Sequence, residues 1–275
     1  MSSASDSLKE AVSHLKGFVM PVQPELLGDL RQAFPDTELM ADLLLEDPSL
    51  CLSVLRLSSV SEENLHNRSS IRSAIDELGA EKITAMINAV LFIMARKDEF
   101  HSVSFEDYWE TSKKVTGFIT ELTRQLNIPL VEEAQCVGVL HNIGMPFLWQ
   151  KHPDYFDLIQ SHNDRNLVVV ENELFKCDHA TIGFYVAKGL HLNNTVCDVI
   201  RYHHMADQFF AEESTMDPDT QILLALLKMT ESIIDESGVL TLKSDLSEWE
   251  QIKLPVLDLL GLSEPDYDDL ADMIK

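Results

Sequence analysis

The chain has 275 residues, 45% of them hydrophobic, so it can bury a sizeable core as one large domain or two closely packed ones. Its formal net charge of −25 argues against nucleic acid and anionic membranes as partners, because both bind clustered Lys and Arg. No apolar run approaches the ~18 residues of a membrane span and residues 1–10 lack a secretory signal, so we expect a cytoplasmic protein.

The first hundred residues are expected to form short packed helices. A lead-in helix is predicted over residues 1–17. Asp47-Pro48 supplies an N-cap followed by Pro at the first helical position. Ser70 is a predicted N-cap for another helix, which Gly79 ends. A further helix follows, with apolar residues spaced by three and four: Ile83, Met86, Ile87, Val90, Leu91 and Met94.

A second group of helices begins near residue 104. The first starts at a capping Ser104 and ends at Asn127-Ile128-Pro129. The next begins near Val131 and runs through His141 and Asn142 to Gly144. Later helices are expected at residues 155–161, 168–176, 179–188, 196–204 and 220–236.

The chain after residue 236 is expected to be less regular until a short acidic helix over residues 265–274, capped by Ser263 or Glu264. Only residues 167–170 could form a strand, and they are too isolated to build a sheet. The pattern therefore predicts an all-α fold.

The polar segment 97–104 is the predicted boundary between two lobes that share a core. An N-terminal helical lobe covers residues 18–100, and a second lobe covers residues 104–236. Residues 237–275 form an acidic C-terminal helical extension. The bundle is thus an N-terminal lobe packed on a second helical lobe.

The pentapeptide Leu140-His141-Asn142-Ile143-Gly144 carries the strongest chemical signal. An adjacent His-Asp pair can bind a divalent ion, because the imidazole supplies nitrogen and the carboxylate supplies charge. Here the second residue is Asn142, whose amide oxygen carries no charge. We therefore expect metal affinity at this pair to be weak.

Three other histidines also stand at helix boundaries. His179 follows Asp178 at a predicted helix start, and His203-His204 closes a predicted helix. One interpretation is a set of buried polar residues hydrogen-bonded to the backbone. The other is an altered metal and phosphate pocket.

Four groups of residues, in this order, resemble the successive signatures of the HDOD domain, the HD-related output domain. They are Ser70-Ile71-Arg72-Ser73-Ala74-Ile75 with Leu78-Gly79, then Leu140-His141-Asn142-Ile143-Gly144, then Glu173-Leu174-Phe175 with Asp178-His179-Ala180 and Ile182-Gly183, then Ile200-Arg201-Tyr202-His203-His204. The resemblance covers about residues 18–236. It implies a helical fold of the HD phosphohydrolase superfamily, whose catalytic members hydrolyse phosphate esters with one or two divalent metals. The family itself is mostly bacterial, linked to signal transduction and generally non-catalytic.

The resemblance also implies where the hydrolase metal ligands would fall. The early His of the pattern falls at Thr111, the His-Asp pair at His141 and Asn142, and the late Asp near Glu231. Thr111 and Asn142 depart from the pattern, so this remnant pocket keeps two of its four ligands. Without a firmly held metal, no hydroxide forms at neutral pH. No catalytic residue is therefore assigned.

A histidine-rich metal site is the exception that the resemblance leaves open. His179, His203 and His204 resemble the extra ligands of the HD-GYP cyclic-dinucleotide phosphodiesterases and could join His141 around one Zn, Ni, Fe or Mn ion. Otherwise no cofactor is expected.

Two functions follow from these observations. The preferred one is a catalytically silent HDOD signalling module that binds a protein partner or a small, nucleotide-like phosphorylated ligand. The alternative is a divalent-metal-dependent phosphohydrolase that acts on a nucleotide or a cyclic dinucleotide.

Overall fold

The computed structural model describes residues 24–59, 70–94, 103–162, 164–210, 214–234 and 243–272. This part of the chain is helical and contains no strand, which confirms the all-α prediction. The helices are α1 (Pro24–Ala33), α2 (Thr37–Leu44), α3 (Pro48–Ser59), α4 (Ile71–Met94), α5 (Val103–Gln125), α6 (Val131–Leu140), α7 (Met145–Lys151), α8 (Tyr155–Gln160), α9 (Leu167–Phe175), α10 (His179–Gly189), α11 (Asn194–Tyr202), α12 (Pro218–Ile234), α13 (Lys243–Leu260) and α14 (Glu264–Asp272). A 3₁₀ turn lies at Ala206–Gln208. None of the described helices is both long and apolar enough to cross a bilayer.

The helix boundaries in the N-terminal lobe follow the predicted caps. Asp47 Oδ1 accepts hydrogen bonds from the backbone N–H groups of Ser49 (2.7 Å) and Leu50 (3.1 Å) at the start of α3. Ser70 Oγ accepts one from Ser73 N (2.9 Å) at the start of α4. Gly79 has φ 75° and divides α4 into two helical stretches. The predicted lead-in helix (1–17) and most of the predicted boundary (97–104) lie outside the described residues.

The described helices of both lobes share one hydrophobic core. Helix α6 is central to it: α6 packs along α5 and also contacts α3, α4, α11 and α12. Seven of its ten residues are buried. This position brings the C-terminal end of α6, and therefore His141, into the interior.

The C-terminal part differs from the sequence-based expectation. Residues 243–260 form one continuous helix, α13, rather than an irregular stretch. Trp249, Ile252 and Val256 bury one face of it in the core, and this packing against α12 overrides the local pattern. Pro255 lies on the exposed face, where water can satisfy the carbonyl that its missing N–H leaves free. The acidic helix α14 follows, and Ser263 Oγ accepts from Asp266 N (3.4 Å), as predicted.

Close helix packing requires the glycine at one position on α6 but not the glycine at another position on α5. A Cβ on Gly138 would lie 2.7 Å from Thr116 Cα, so α5 and α6 approach too closely for a side chain. A Cβ on Gly117 would have nothing within 4 Å.

We predict that Gly138→Ala destabilises the protein by about 1–3 kcal/mol through overpacking. Gly117→Ala is the matched control and should be neutral or stabilising, because Ala has the higher helix propensity. Chemical denaturation of both variants measures the difference. Equal stability of the two variants would contradict the close α5–α6 contact.

Candidate functional site

Four histidines from three helix boundaries meet in the interior of the second lobe. His141 follows α6, His179 is the first residue of α10, and His203 and His204 follow α11. Their side chains are between 0% and 4% exposed. The centroids of the His179 and His203 rings are 5.2 Å apart, and those of His141 and His203 are 5.4 Å apart. We call these four residues the histidine centre.

Two glycines let the backbones approach closely enough to form the centre. A Cβ on Gly144 would lie 2.7 Å from the carbonyl carbon of His179 and would overlap its oxygen. A Cβ on Gly183 would lie 2.9 Å from Cγ2 of Ile200. Gly144 therefore presses the turn after α6 against the start of α10, and Gly183 brings α10 against α11.

The Nδ1 atoms of three of these histidines face hydrogen-bond acceptors. The acceptors are Val137 O and Gly138 O for His141 (both 3.1 Å), Ile200 O for His203 (2.8 Å) and Glu171 Oε2 for His179 (2.7 Å). Because carbonyl and carboxylate oxygens only accept, the Nδ1 atoms of His141 and His179 carry the proton. His203 faces an acceptor oxygen at each ring nitrogen, Ile200 O at 2.8 Å and Asn142 Oδ1 at 3.2 Å, and the shorter contact favours the proton on Nδ1. In the neutral ring, each Nε2 then presents a lone pair to the interior.

Burial favours the neutral form of two of the rings, those of His141 and His203. It lowers the pKa of His141 below its usual value, and it lowers the pKa of His203 well below it, with the neighbouring His204 and His179 adding to the effect. Neutral imidazole is the form that binds a metal ion.

Glu171 fixes the orientation of His179 from the far side of the ring. It is fully buried and accepts hydrogen bonds from the His179 backbone N–H (2.9 Å), from His179 Nδ1 and from the Tyr155 hydroxyl. Burial, and then Glu171, raise the pKa of Tyr155 well above its usual value, so its hydroxyl keeps its proton. A carboxylate behind a histidine is the usual support for a metal-binding imidazole.

The donor atoms of the centre fit one divalent metal ion. One ring nitrogen each from His179, His203 and His204 lies within 4.8 Å of the others. The Nε2 atoms of His179 and His203 are 3.3 Å apart. Two nitrogens bound to a tetrahedral ion at 2.0–2.1 Å would be separated by about 3.3 Å. The three histidines could therefore hold a metal ion.

Asn142 links His141 to the other histidines. Its amide Nδ2 donates to His141 Nε2 (2.9 Å), and Oδ1 lies 3.2 Å from His203 Nε2. An aspartate here would offer no donor to the His141 lone pair. In an HD pair the lone pair of this His nitrogen would bind a metal ion. Here the nitrogen accepts a hydrogen bond from the Asn142 amide instead.

An ionic cluster adjoins His141 on the α12 side. Glu231 Oε1 is 3.5 Å from His141 Nε2, and Glu231 Oε2 is 2.9 Å from Lys228 Nζ. The same Nζ is 2.9 Å from Oε2 of Glu248 on α13. Glu248 Oε1 in turn accepts from Ala206 N (2.9 Å). We call Lys228, Glu231 and Glu248 the ionic cluster.

The structure brings most of the predicted site residues together. Asn142 and Glu231 contact His141, and Asn142 also contacts His203. Thr111 is half-buried in α5, and no hydrogen bond among the described residues joins it to the centre.

Sequence reasoning missed Tyr155, Glu171, Lys228 and Glu248. Lys228 carried a usable signal, because it is a charged residue within residues 223–229 of α12, a buried run that is otherwise apolar.

The chain is similar to proteins of known family and fold. A family model described as the HDOD domain matches residues 20–206. Among solved structures, the MmoQ response regulator of Methylococcus capsulatus superposes with a TM-score of 0.70 at 18% identity, over 93% of this chain and 98% of that one. A virulence factor of Campylobacter jejuni gives a TM-score of 0.67 at 16% identity, over 95% of each chain. An HDOD domain protein of Geobacter sulfurreducens gives 0.53 at 21% identity, over 99% of this chain and 94% of that one. No curated protein matches the chain.

We predict that protein purified without chelator or affinity-tag nickel binds one Zn²⁺ per chain in an isothermal titration. Glu171→Gln should weaken this binding about 10–100-fold, because the carboxylate orients the His179 ring. His162→Ala, outside the centre, is the control and should bind like the wild type. Equal affinity of wild type and Glu171→Gln would show that zinc binds elsewhere.

Proposed function

The chain belongs to the HDOD domain family, and from that premise we propose that it is a catalytically silent module of signal transduction that acts by binding a protein partner. An ion held by the histidine centre then has a structural role. The similarity in fold to the MmoQ response regulator supports a signalling function. A bacterial origin and a cytoplasmic location stay predictions.

The burial of the histidine centre is the observation that carries this proposal. A hydrolytic metal site needs an open coordination position that the substrate can reach. Here all four imidazoles are buried, with His179 and His203 fully so. On the α12 side, the ion pair of Lys228 with Glu248 joins α12 to α13 next to Glu231, which contacts His141. A phosphate ester therefore has no direct access to a metal held by these residues.

The charge of a pocket beside the centre favours a protein partner over a phosphorylated ligand. A pocket of about 220 Å³ lies beside the centre. Two of its lining residues show this position: Asn166 donates a hydrogen bond to His204 O (2.7 Å), and Glu248 belongs to the ionic cluster. Its lining contains three carboxylates and no Lys or Arg: Asp164, Asn166, Asp207, Ser247, Glu248 and Gln251. Such a lining repels phosphate. With a net charge of −25, the chain instead suits a partner with a basic surface.

A metal-dependent phosphohydrolase is the second candidate, and the spacing of the histidine nitrogens favours it. His179, His203 and His204 would hold the ion, with Glu171 orienting His179. A bound divalent ion would supply Lewis acidity and lower the pKa of a bound water toward neutrality. In that case the substrate would have to enter through a movement of α13.

We predict no hydrolysis by the zinc-, manganese- or nickel-loaded protein of p-nitrophenyl phosphate, of bis-p-nitrophenyl phosphate or of a cyclic dinucleotide. The physical reason is that a phosphate ester cannot reach a metal held by the buried histidines. Rates are measured against metal in buffer and against His203→Ala protein under the same conditions. Metal-dependent turnover that disappears in His203→Ala would overturn the silent-module proposal and support the phosphohydrolase.

A further inference from the structure

Lys228 places an ammonium group in the protein interior beside the histidine centre. Its side chain is 2% exposed, and its Nζ lies 2.9 Å from Oε2 of both Glu231 and Glu248. Lysine is almost never this buried unless it is paired with opposite charge. One ammonium thus forms ion pairs with two carboxylates, one on α12 and one on α13.

The groups around this ammonium would form a metal site if the ammonium were absent. Glu231 contributes two oxygens, of which Oε1 is 3.5 Å from the unprotonated Nε2 of His141. Glu248 contributes another oxygen to the same place. Two carboxylates and one imidazole are a ligand set that suits Mn²⁺, Fe²⁺ or Zn²⁺.

We propose that Lys228 is a built-in cation that takes the place of a divalent metal between Glu231 and Glu248 and excludes one from it. Metal binding in this interior is then confined to His179, His203 and His204.

Both the charge and the burial of the Lys228 ammonium disfavour a dication at this position. The ammonium already neutralises part of the charge of the two carboxylates, so a dication gains less attraction there. A dication would also have to displace the ammonium, which is too buried to move into water without leaving its partners.

The exclusion of a metal from the ionic cluster explains why an amide, Asn142, fits at the position where an HD pair has a carboxylate. With Lys228 as the cation, no metal binds His141 Nε2, and this nitrogen needs a hydrogen-bond donor instead. Asn142 Nδ2 supplies that donor at 2.9 Å. The loss of the HD carboxylate and the presence of the lysine are thus two parts of one arrangement.

The test removes the charge of Lys228 and counts bound metal. Wild type and Lys228→Gln are first saturated with one equivalent of Zn²⁺, and each is then titrated with Mn²⁺ by calorimetry and by the electron paramagnetic resonance signal of free Mn²⁺. The wild type should take up no Mn²⁺. The variant should take up one Mn²⁺ per chain, and its Tm should rise by about 5–10 °C at Mn²⁺ a hundredfold above the Kd.

Two further variants separate the charge from other effects. Lys228→Arg keeps the positive charge and should take up no Mn²⁺. In the double variant Lys228→Gln with Glu231→Gln, the Mn²⁺ uptake should be lost again, because a neutral amide replaces the Glu231 carboxylate. Whether the module is catalytic does not affect these measurements, since no substrate is present.

Every other outcome contradicts the exclusion. A folded Lys228→Gln protein that takes up no Mn²⁺ would show that the carboxylates form no site. Uptake by the wild type or by Lys228→Arg would show that the charge excludes nothing. If Lys228→Gln stays unfolded with and without Mn²⁺, a metal cannot replace the ammonium, and the proposal fails as well.

Discussion

The direct contact between the turn after α6 and the start of α10 controls the geometry of the histidine centre. Gly144 leaves no space for a side chain against the His179 carbonyl group, so the two backbones touch. The turn then holds Asn142 within 3.2 Å of His203, and α10 holds His179 within 3.3 Å of the same ring. A methyl group at this contact would separate the groups that give the interior its chemistry.

Burial determines what this interior can do. Burial holds His141 and His203 in the neutral form, so their Nε2 lone pairs attract cations. Two lone pairs only 3.3 Å apart, on His179 and His203, favour a shared ion between them. Near His141 no metal is needed, because Asn142 donates a hydrogen bond to the ring nitrogen and the Lys228 ammonium neutralises the carboxylates. One half of the pocket therefore fits a metal, and the other half already contains its cation.

Local sequence signals predicted the features that depend on local structure. Apolar spacing gave the all-α class, and Asp47 and Ser70 cap the helices that they were expected to cap. The centre itself was only partly predictable. Lys228 and Glu248 are 20 positions apart in sequence and meet because α13 packs on α12. No spacing rule joins them, and the sequence pattern did not show that residues 243–260 form one continuous helix, because that helix buries Trp249 only by packing against α12.

Anomalous diffraction from a crystal soaked in Zn²⁺ locates each ion relative to both halves of the pocket. We expect one interior peak, bonded to His179, His203 and His204, with the Lys228 ammonium still between Glu231 and Glu248. A second peak between those two carboxylates, with Lys228 displaced, would instead show a two-metal centre from which the lysine excludes no metal.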